Sequence, residues 1–236
     1  MNPVVFRVPG AAEITHAATL FRADADASRG VMFVMAHGAG AGQSHPFMVR
    51  YASGLADRGI HVVTFNFPYI DSGRRAPDRA PVLEDVFRRV VVAAAILPDV
   101  QACRLFIGGK SMGGRIATHL AASPEAWPES APSLGGVIVF GYPLNPPGGP
   151  SKRSPDRTSH LGRIVAPLLV VQGTRDQFGG PELIQAALQG ETPPAPAATP
   201  QRHRRHVLSI AGGDHSLAAK FDQTVFDAVV DFVSAT

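Results

Sequence analysis

Residues 104–122 read RLFIGGKSMGGRIATHLAA, and this segment determines the fold prediction more than any other. The run RLFIGG has the length and apolar character of a buried strand, and helical spacing begins directly after Ser111. Gly109 and Gly113 flank the serine in the pattern G-x-S-x-G, in which small residues allow the backbone to turn sharply. The segment therefore predicts a strand, a tight turn that exposes the serine hydroxyl, and a helix.

Apolar runs of strand length alternate with segments of helical spacing on both sides of this turn. This order predicts an α/β fold with βαβ units, a mostly parallel sheet, and helices on both faces. The first 30 residues alternate polar and apolar side chains, which favours antiparallel strands at one sheet edge. The later predicted strands are 31–37, 60–67, 104–109, 136–141, 167–173 and 206–212, and the predicted helices are 46–58, 81–97, 112–122, 181–189 and 216–234.

The length of the chain and its regular alternation favour a single domain. It has 236 residues, 45% of them hydrophobic, which suits one α/β domain over 1–236. Two segments interrupt the alternation: 142–163, a candidate short lid, and 191–202, a proline-rich loop expected to be flexible. Strand patterns resume after each segment, so neither is interpreted as a domain boundary.

Composition and local sequence patterns indicate the cellular compartment and exclude some classes of partner. Cys103 is the single cysteine, so no internal disulfide can form, which favours a reducing compartment. The N-terminal residues lack the pattern of a secretory signal, and the longest apolar run, 90–97, is shorter than the ~20 residues that span a bilayer. The basic run at 201–206 is too short to form a nucleic-acid-binding face. We expect a cytoplasmic protein without nucleic-acid or membrane partners; the oligomeric state has no sequence signal.

A serine hydroxyl becomes a nucleophile when a base accepts its proton. Of nine histidines, His215 is the best candidate, because it follows the last predicted strand at the sheet edge where Ser111 lies. The base needs an acid to orient it, and Asp176 also follows a parallel strand. Asp214 is adjacent to the histidine, so its side chain should diverge from the ring, and Asp156 lies in the irregular segment. A helix-capping serine, a surface histidine and a turn aspartate are the structural alternatives.

The tetrahedral intermediate of acyl transfer needs two backbone N–H donors. We expect the first from Met112, the residue after the serine. The second should come from the loop HGAGAG at 37–42, where small residues let the backbone approach a substrate. Ala39 is the predicted donor and Gly40 is the second candidate.

Two glycine-rich nucleotide-binding motifs do not match the sequence, because required residues are missing at fixed positions. A dinucleotide-binding loop would need a third glycine where Gln43 stands and an acid where the next strand ends in Asn66. A phosphate loop ending at Ser111 would need a glycine at Arg104. Acyl transfer by Ser111, His215 and Asp176 requires no metal or cofactor, and none is expected.

Several side chains near the predicted strand ends are candidate substrate contacts. Phe47, Met48 and Tyr69 fit the wall of an acyl pocket, and core packing explains them equally well. Arg115, one helical turn after the serine, could hold a substrate carboxylate, although a structural arginine bonding nearby loops is favoured. Lys110 is interpreted as pointing away from the nucleophile and is given no role.

Five strings carry a resemblance to a known family. They are HGAGAG (37–42), GGKSMGGR (108–115), FGYPLNPPG (140–148), VQGTRDQFG (171–179) and GGDHS (212–216). From about residue 30 onward the chain resembles the small α/β hydrolases related to dienelactone hydrolase. More narrowly, it is similar to the group containing testis-expressed protein 30 and the hydrolase-like domain of NSL complex subunit 3.

The resemblance implies an α/β-hydrolase fold with a minimal lid and the same three residues, Ser111, Asp176 and His215. Asn145 is a departure, because the group often carries a histidine there. We expect a serine hydrolase that cleaves a small carboxylic ester or thioester through an acyl-enzyme. The alternative is a binding or scaffold protein that keeps the fold with little turnover.

Overall fold

The computed structural model describes residues 2–10, 15–152, 154–189 and 205–236. The predicted proline-rich loop at 191–202 and most of the basic run at 201–206 lie outside these residues. The strands in the described part are β1 (Val4–Pro9), β2 (Thr15–Phe21), β3 (Val31–Ala36), β4 (Ile60–Phe65), β5 (Arg104–Lys110), β6 (Leu134–Phe140), β7 (Leu168–Gly173) and β8 (Arg205–Ile210).

These strands form one sheet in the order β1-β2-β4-β3-β5-β6-β7-β8. Strand β2 is antiparallel to both β1 and β4, and every other pairing is parallel. The predicted mostly parallel sheet with antiparallel pairing at one edge is confirmed. Because β3, β5, β7 and β8 run in the same direction, the loops after their carboxyl ends lie along one edge of the sheet.

Six α-helices occur in the described residues: α1 (Pro46–Ala56), α2 (Pro68–Asp71), α3 (Ala80–Ala95), α4 (Met112–Ala121), α5 (Pro181–Gln189) and α6 (Asp222–Ala235). Five match predicted helices, whereas the single turn of α2 was not predicted. The last helix begins at Asp222 instead of residue 216, because Leu217 has a positive φ of 51° and a 3-10 turn precedes the helix. No helix in the described ranges is long and apolar enough to cross a membrane.

The core has two layers, one on each face of the sheet. Successive side chains of a strand point to opposite faces, so Val34 and Ile107 pack with the cluster that includes α3, α4 and α5. Phe33 and Phe106 pack with the cluster that includes α1 and α6. This is the predicted arrangement of helices on both faces, and it accounts for central strands without polar alternation.

Candidate active site

Ser111 lies at the turn between β5 and α4 with φ 51° and ψ −114°, a backbone conformation that side-chain-bearing residues rarely adopt. Such strain costs about 1–3 kcal/mol and is found mainly at functional sites. A Cβ on Gly109 would lie 2.1 Å from the carbonyl oxygen of Ala36, and one on Gly113 would lie 2.4 Å from that same oxygen. The two glycines therefore allow the turn to pack against the end of β3.

The structure brings the three predicted residues into one hydrogen-bonded chain. His215 Nδ1 lies 2.7 Å from Asp176 Oδ2, and His215 Nε2 lies 2.9 Å from Ser111 Oγ. Since a carboxylate only accepts, Nδ1 carries the ring proton and Nε2 accepts from the serine hydroxyl. This is the tautomer that a general base needs.

The carboxylate of Asp176 is held from three sides. Its side chain has no exposed surface, and besides His215 it accepts from Gln172 Nε2 (2.9 Å) and from the backbone N–H of Phe178 (2.9 Å). The Phe178 ring also meets the imidazole edge-on, with ring centroids 4.5 Å apart. Sequence reasoning missed Gln172, although a glutamine inside an otherwise apolar strand is a signal that could have identified it.

The glycine-rich loop after β3 packs against the nucleophile. A Cβ on Gly38 would lie 3.5 Å from Ser111 Cβ, so the loop backbone passes directly over the serine. Met112 is the first residue of α4, where backbone N–H groups have no partner inside the helix. Ala39, which follows Gly38 in the loop, lines the cavity above the serine, whereas Gly40 is not among the residues that line it.

A cavity of about 610 Å³ opens over Ser111. Phe47, Met48 and Arg115, three of the candidate substrate contacts, lie in its wall. Tyr69 is fully buried outside that wall, with its ring 5.9 Å from the ring of His37. The other lining residues include Ala39, Ala41, His45, Leu83, Lys110, Met112, Pro143, Pro147, Arg157 and Phe178.

The candidate lid contributes three of these wall residues, Pro143, Pro147 and Arg157. Its base is bonded internally: the Tyr142 hydroxyl donates to the carbonyl of Arg157 (2.6 Å), and the guanidinium of Arg157 donates to the carbonyl of Pro143 (2.7 Å). In the described part, short 3-10 turns interrupt the segment, at Pro150–Lys152, Pro155–Arg157 and Leu161–Arg163.

A family model described as "Alpha/beta hydrolase domain" matches residues 29–228 of the chain. The chain belongs to this alpha/beta hydrolase family. The match covers the sheet from β3 onward, together with the loops that carry Ser111, Asp176 and His215.

Solved structures agree with this fold, whereas no curated protein matches the chain. XC6422 from Xanthomonas campestris, an α/β serine hydrolase without a lid, is 17% identical, with a TM-score of 0.70 over 100% of this chain and 95% of that one. Dienelactone hydrolase from Anabaena variabilis is 17% identical, with a TM-score of 0.68 over 100% and 99%. Est1E from Butyrivibrio proteoclasticus is 15% identical, with a TM-score of 0.69 over 98% of each chain. At these identities the likeness concerns the fold.

In this α/β hydrolase, Lys110 lies in the cavity wall and does not point away from the site as predicted from the sequence. Its Nζ donates to the backbone carbonyl of Phe140 (3.3 Å) and to that of His215, and it lies 5.3 Å from the centre of the Phe47 ring. Burial lowers the pKa of Lys110 to about 8. Nothing in the sequence around Lys110 indicates that its side chain points into the site.

The guanidinium of Arg115 belongs to a second hydrogen-bonded chain beside the cavity. His119 Nδ1 lies 3.1 Å from Glu84 Oε1, and Arg115 Nη1 lies 3.4 Å from His119 Nε2. The hydrogen bond from His119 holds the pKa of Glu84 below its usual value. With Nδ1 donating to the carboxylate, Nε2 accepts from the guanidinium, so Arg115 is oriented by groups on α3 and α4.

Proposed function

We propose that this protein is a serine hydrolase that cleaves a carboxylic ester or thioester through an acyl-enzyme on Ser111. The observation that carries the proposal is the hydrogen-bonded chain from Asp176 through His215 to Ser111 at the floor of the cavity. A buried carboxylate, an imidazole in the tautomer of a base and a strained serine together suit nucleophilic acyl transfer.

In the proposed reaction, Ser111 Oγ attacks the carbonyl carbon of the substrate while its proton passes to His215 Nε2. Asp176 stabilises the imidazolium that forms. The tetrahedral intermediate then expels the alcohol or thiol, which takes the proton from Nε2. A water molecule repeats the sequence on the acyl-enzyme: His215 accepts its proton, the hydroxide adds to the acyl carbon, and Ser111 leaves with the proton.

The negative oxygen of each intermediate requires N–H donors, and we assign them to Met112 and Ala39, with Gly40 as the second candidate for the loop donor. The assignment is supported by the position of Met112 at the N-terminus of α4 and by the close packing of the loop over the serine. Removing one such donor typically lowers kcat by ~10²–10³.

The lining of the cavity indicates the chemistry of the acyl group. Its wall near the nucleophile is apolar, with Phe47, Met48 and Leu83, which suits an aliphatic or aromatic acyl group. Arg115 stands in the same wall and is oriented by His119 and Glu84. We propose that it binds a carboxylate on the substrate, because a guanidinium fits that group with paired hydrogen bonds.

The narrower affiliation is also a proposal. The strings at 108–115 and 140–148 support membership in the group that contains testis-expressed protein 30 and the hydrolase-like domain of NSL complex subunit 3. The single cysteine supports a cytoplasmic location.

A fluorophosphonate probe tests the proposed nucleophile. Wild-type protein should be labelled, and Ser111→Ala should not. Ser216→Ala is the matched control, because Ser216 also lines the cavity but bonds Asp214, and it should label like the wild type. Absence of labelling in folded wild-type protein, together with no turnover of short p-nitrophenyl esters, would favour the scaffold alternative.

A further inference from the structure

Lys110 joins two parts of the site that are far apart in sequence. It is the last residue of β5, and its Nζ donates to the carbonyl of Phe140, the last residue of β6, and to the carbonyl of His215. The Phe140 carbonyl also accepts the backbone N–H of Ser111 at 3.0 Å. One ammonium group thus links the loop that carries the base to the strand end that anchors the nucleophile.

The ammonium group occupies an unfavourable place for a charge. Among the described residues, no carboxylate oxygen lies within salt-bridge distance of Lys110 Nζ. Asp176 and Asp214 stabilise the ammonium only by electrostatic attraction over a longer distance. Asp176 already bonds His215, and Asp214 bonds Ser216. A buried cation without a contacting carboxylate is costly, and an apolar side chain of similar volume would often be as stable. Fold stability therefore accounts for a lysine here only through its two carbonyl hydrogen bonds, which oppose the cost of burying the charge.

We propose that Lys110 is a positioning residue for the reaction, and that its bond to the His215 carbonyl sets the height of the imidazole over Ser111. This inference rests on the proposed function. Gly141 shows how little room the arrangement leaves, since a Cβ there would lie 2.8 Å from Lys110 Nζ and 3.2 Å from the His215 ring. The lysine and the imidazole pack over the same glycine, so a shift of one moves the other.

The charge of the ammonium also strengthens its hydrogen bond to the His215 carbonyl, because a charged donor bonds more strongly than a neutral one. The charged groups that face Lys110 are Asp176 from the loop after β7 and Asp214 and His215 from the loop after β8; His45, at the N-terminus of α1, lines the same cavity. The lowered pKa of Lys110, about 8, means that its charge is present below that pH and is lost above it. The wild-type kcat should therefore fall as pH rises through about 8.

The test compares Lys110→Met and Lys110→Arg, with Lys220→Met as the matched control because Lys220 is exposed. For Lys110→Met we expect kcat to fall about 10–100-fold, the usual effect of a misplaced catalytic group, with KM within about threefold. Its melting temperature should fall by less than about 10 °C, because removing a buried charge offsets part of the cost of leaving the His215 carbonyl without this donor. The loss of kcat near pH 8 should disappear in Lys110→Met, and Lys110→Arg should recover part of kcat.

An NMR readout is independent of turnover. The low-field proton between His215 and Asp176 should shift or broaden in Lys110→Met and stay in place in Lys220→Met. Wild-type kinetics, pH profile and proton resonance in Lys110→Met would overturn the inference. So would a loss of kcat that accompanies a large fall in melting temperature and is not recovered by arginine. If the probe labels Ser111 in these cases, the proposed function stands and only the role of Lys110 fails. If the wild type is not labelled, the proposed function fails, and the His215 proton resonance still shows whether Lys110 positions the imidazole.

Discussion

His37 Nδ1 donates to the carbonyl oxygen of Gly38 at 2.8 Å, and this bond fixes the direction of the peptide between Gly38 and Ala39. In a planar trans peptide the N–H points opposite to the carbonyl, so the Ala39 N–H is turned away from the imidazole. The other ring nitrogen, Nε2, accepts the backbone N–H of Phe67 at 3.0 Å. His37 is therefore a fixed part of the loop proposed to hold the oxyanion.

Two substitutions of His37 separate its two hydrogen bonds. Asparagine can replace the Nδ1 donor to Gly38, whereas glutamine can replace the Nε2 acceptor for Phe67. We expect His37→Gln to lower kcat by ~10²-fold, as for a lost oxyanion donor, and His37→Asn to stay within about tenfold of the wild type. Steady-state kinetics on a p-nitrophenyl ester, with melting temperatures for both variants, checks this. Equal loss in the two variants would mean that His37 does not act through Gly38.

His37 also predicts how stability depends on pH. Burial lowers its pKa from 6.5 to about 4, so between these values the unfolded chain binds a proton at this imidazole and the folded protein does not. The free energy of unfolding should therefore fall as pH falls from about 6.5 to 4, with His37 contributing about 3 kcal/mol. Denaturant unfolding at several pH values measures this. The slope should be shallower in His37→Asn, and an unchanged slope would assign the effect to other groups.

Asp176→Asn removes the charge that orients His215. The amide would present a donor or a weaker acceptor to Nδ1, which favours the wrong tautomer, and kcat should fall by ~10⁴-fold with little change in KM. Asp214→Asn is the matched control, because Asp214 is adjacent to the base but bonds Ser216 on the surface. It should keep kcat within about threefold of the wild type. Similar losses in the two variants would contradict the choice of Asp176 as the acid.

Arg115 should distinguish substrates by charge. Wild-type kcat/KM should be higher for a p-nitrophenyl hemisuccinate ester than for the neutral butyrate ester of similar length. Arg115→Met should lose about 10–100-fold on the hemisuccinate, the value of one charged hydrogen bond, and stay within about threefold on the butyrate. If both substrates lose equally, the arginine has the structural role that the sequence favoured.

Much of the fold and the main chemical residues could be predicted because their signals are local. The strand, turn and helix around Ser111 follow from glycine positions and apolar runs, and Asp176 and His215 follow from strand ends. The inward path of Lys110 could not be predicted, because it depends on where the His215 loop comes to lie. The same holds for Gln172, whose amide meets Asp176 only after β7 is placed. Tyr69 was misplaced because a residue after a strand end can equally pack into the core.

The most direct test of the central claim is the mass of the acyl-enzyme. Wild-type protein would be mixed with p-nitrophenyl acetate, quenched in acid within the first turnover and digested with trypsin, which cuts after Lys110 and Arg115. We predict a burst of p-nitrophenol equal to the enzyme concentration and one acetyl group on the peptide Ser111-Met112-Gly113-Gly114-Arg115. A burst with the acetyl group on any other residue, or turnover that survives in Ser111→Ala, would contradict Ser111 as the nucleophile.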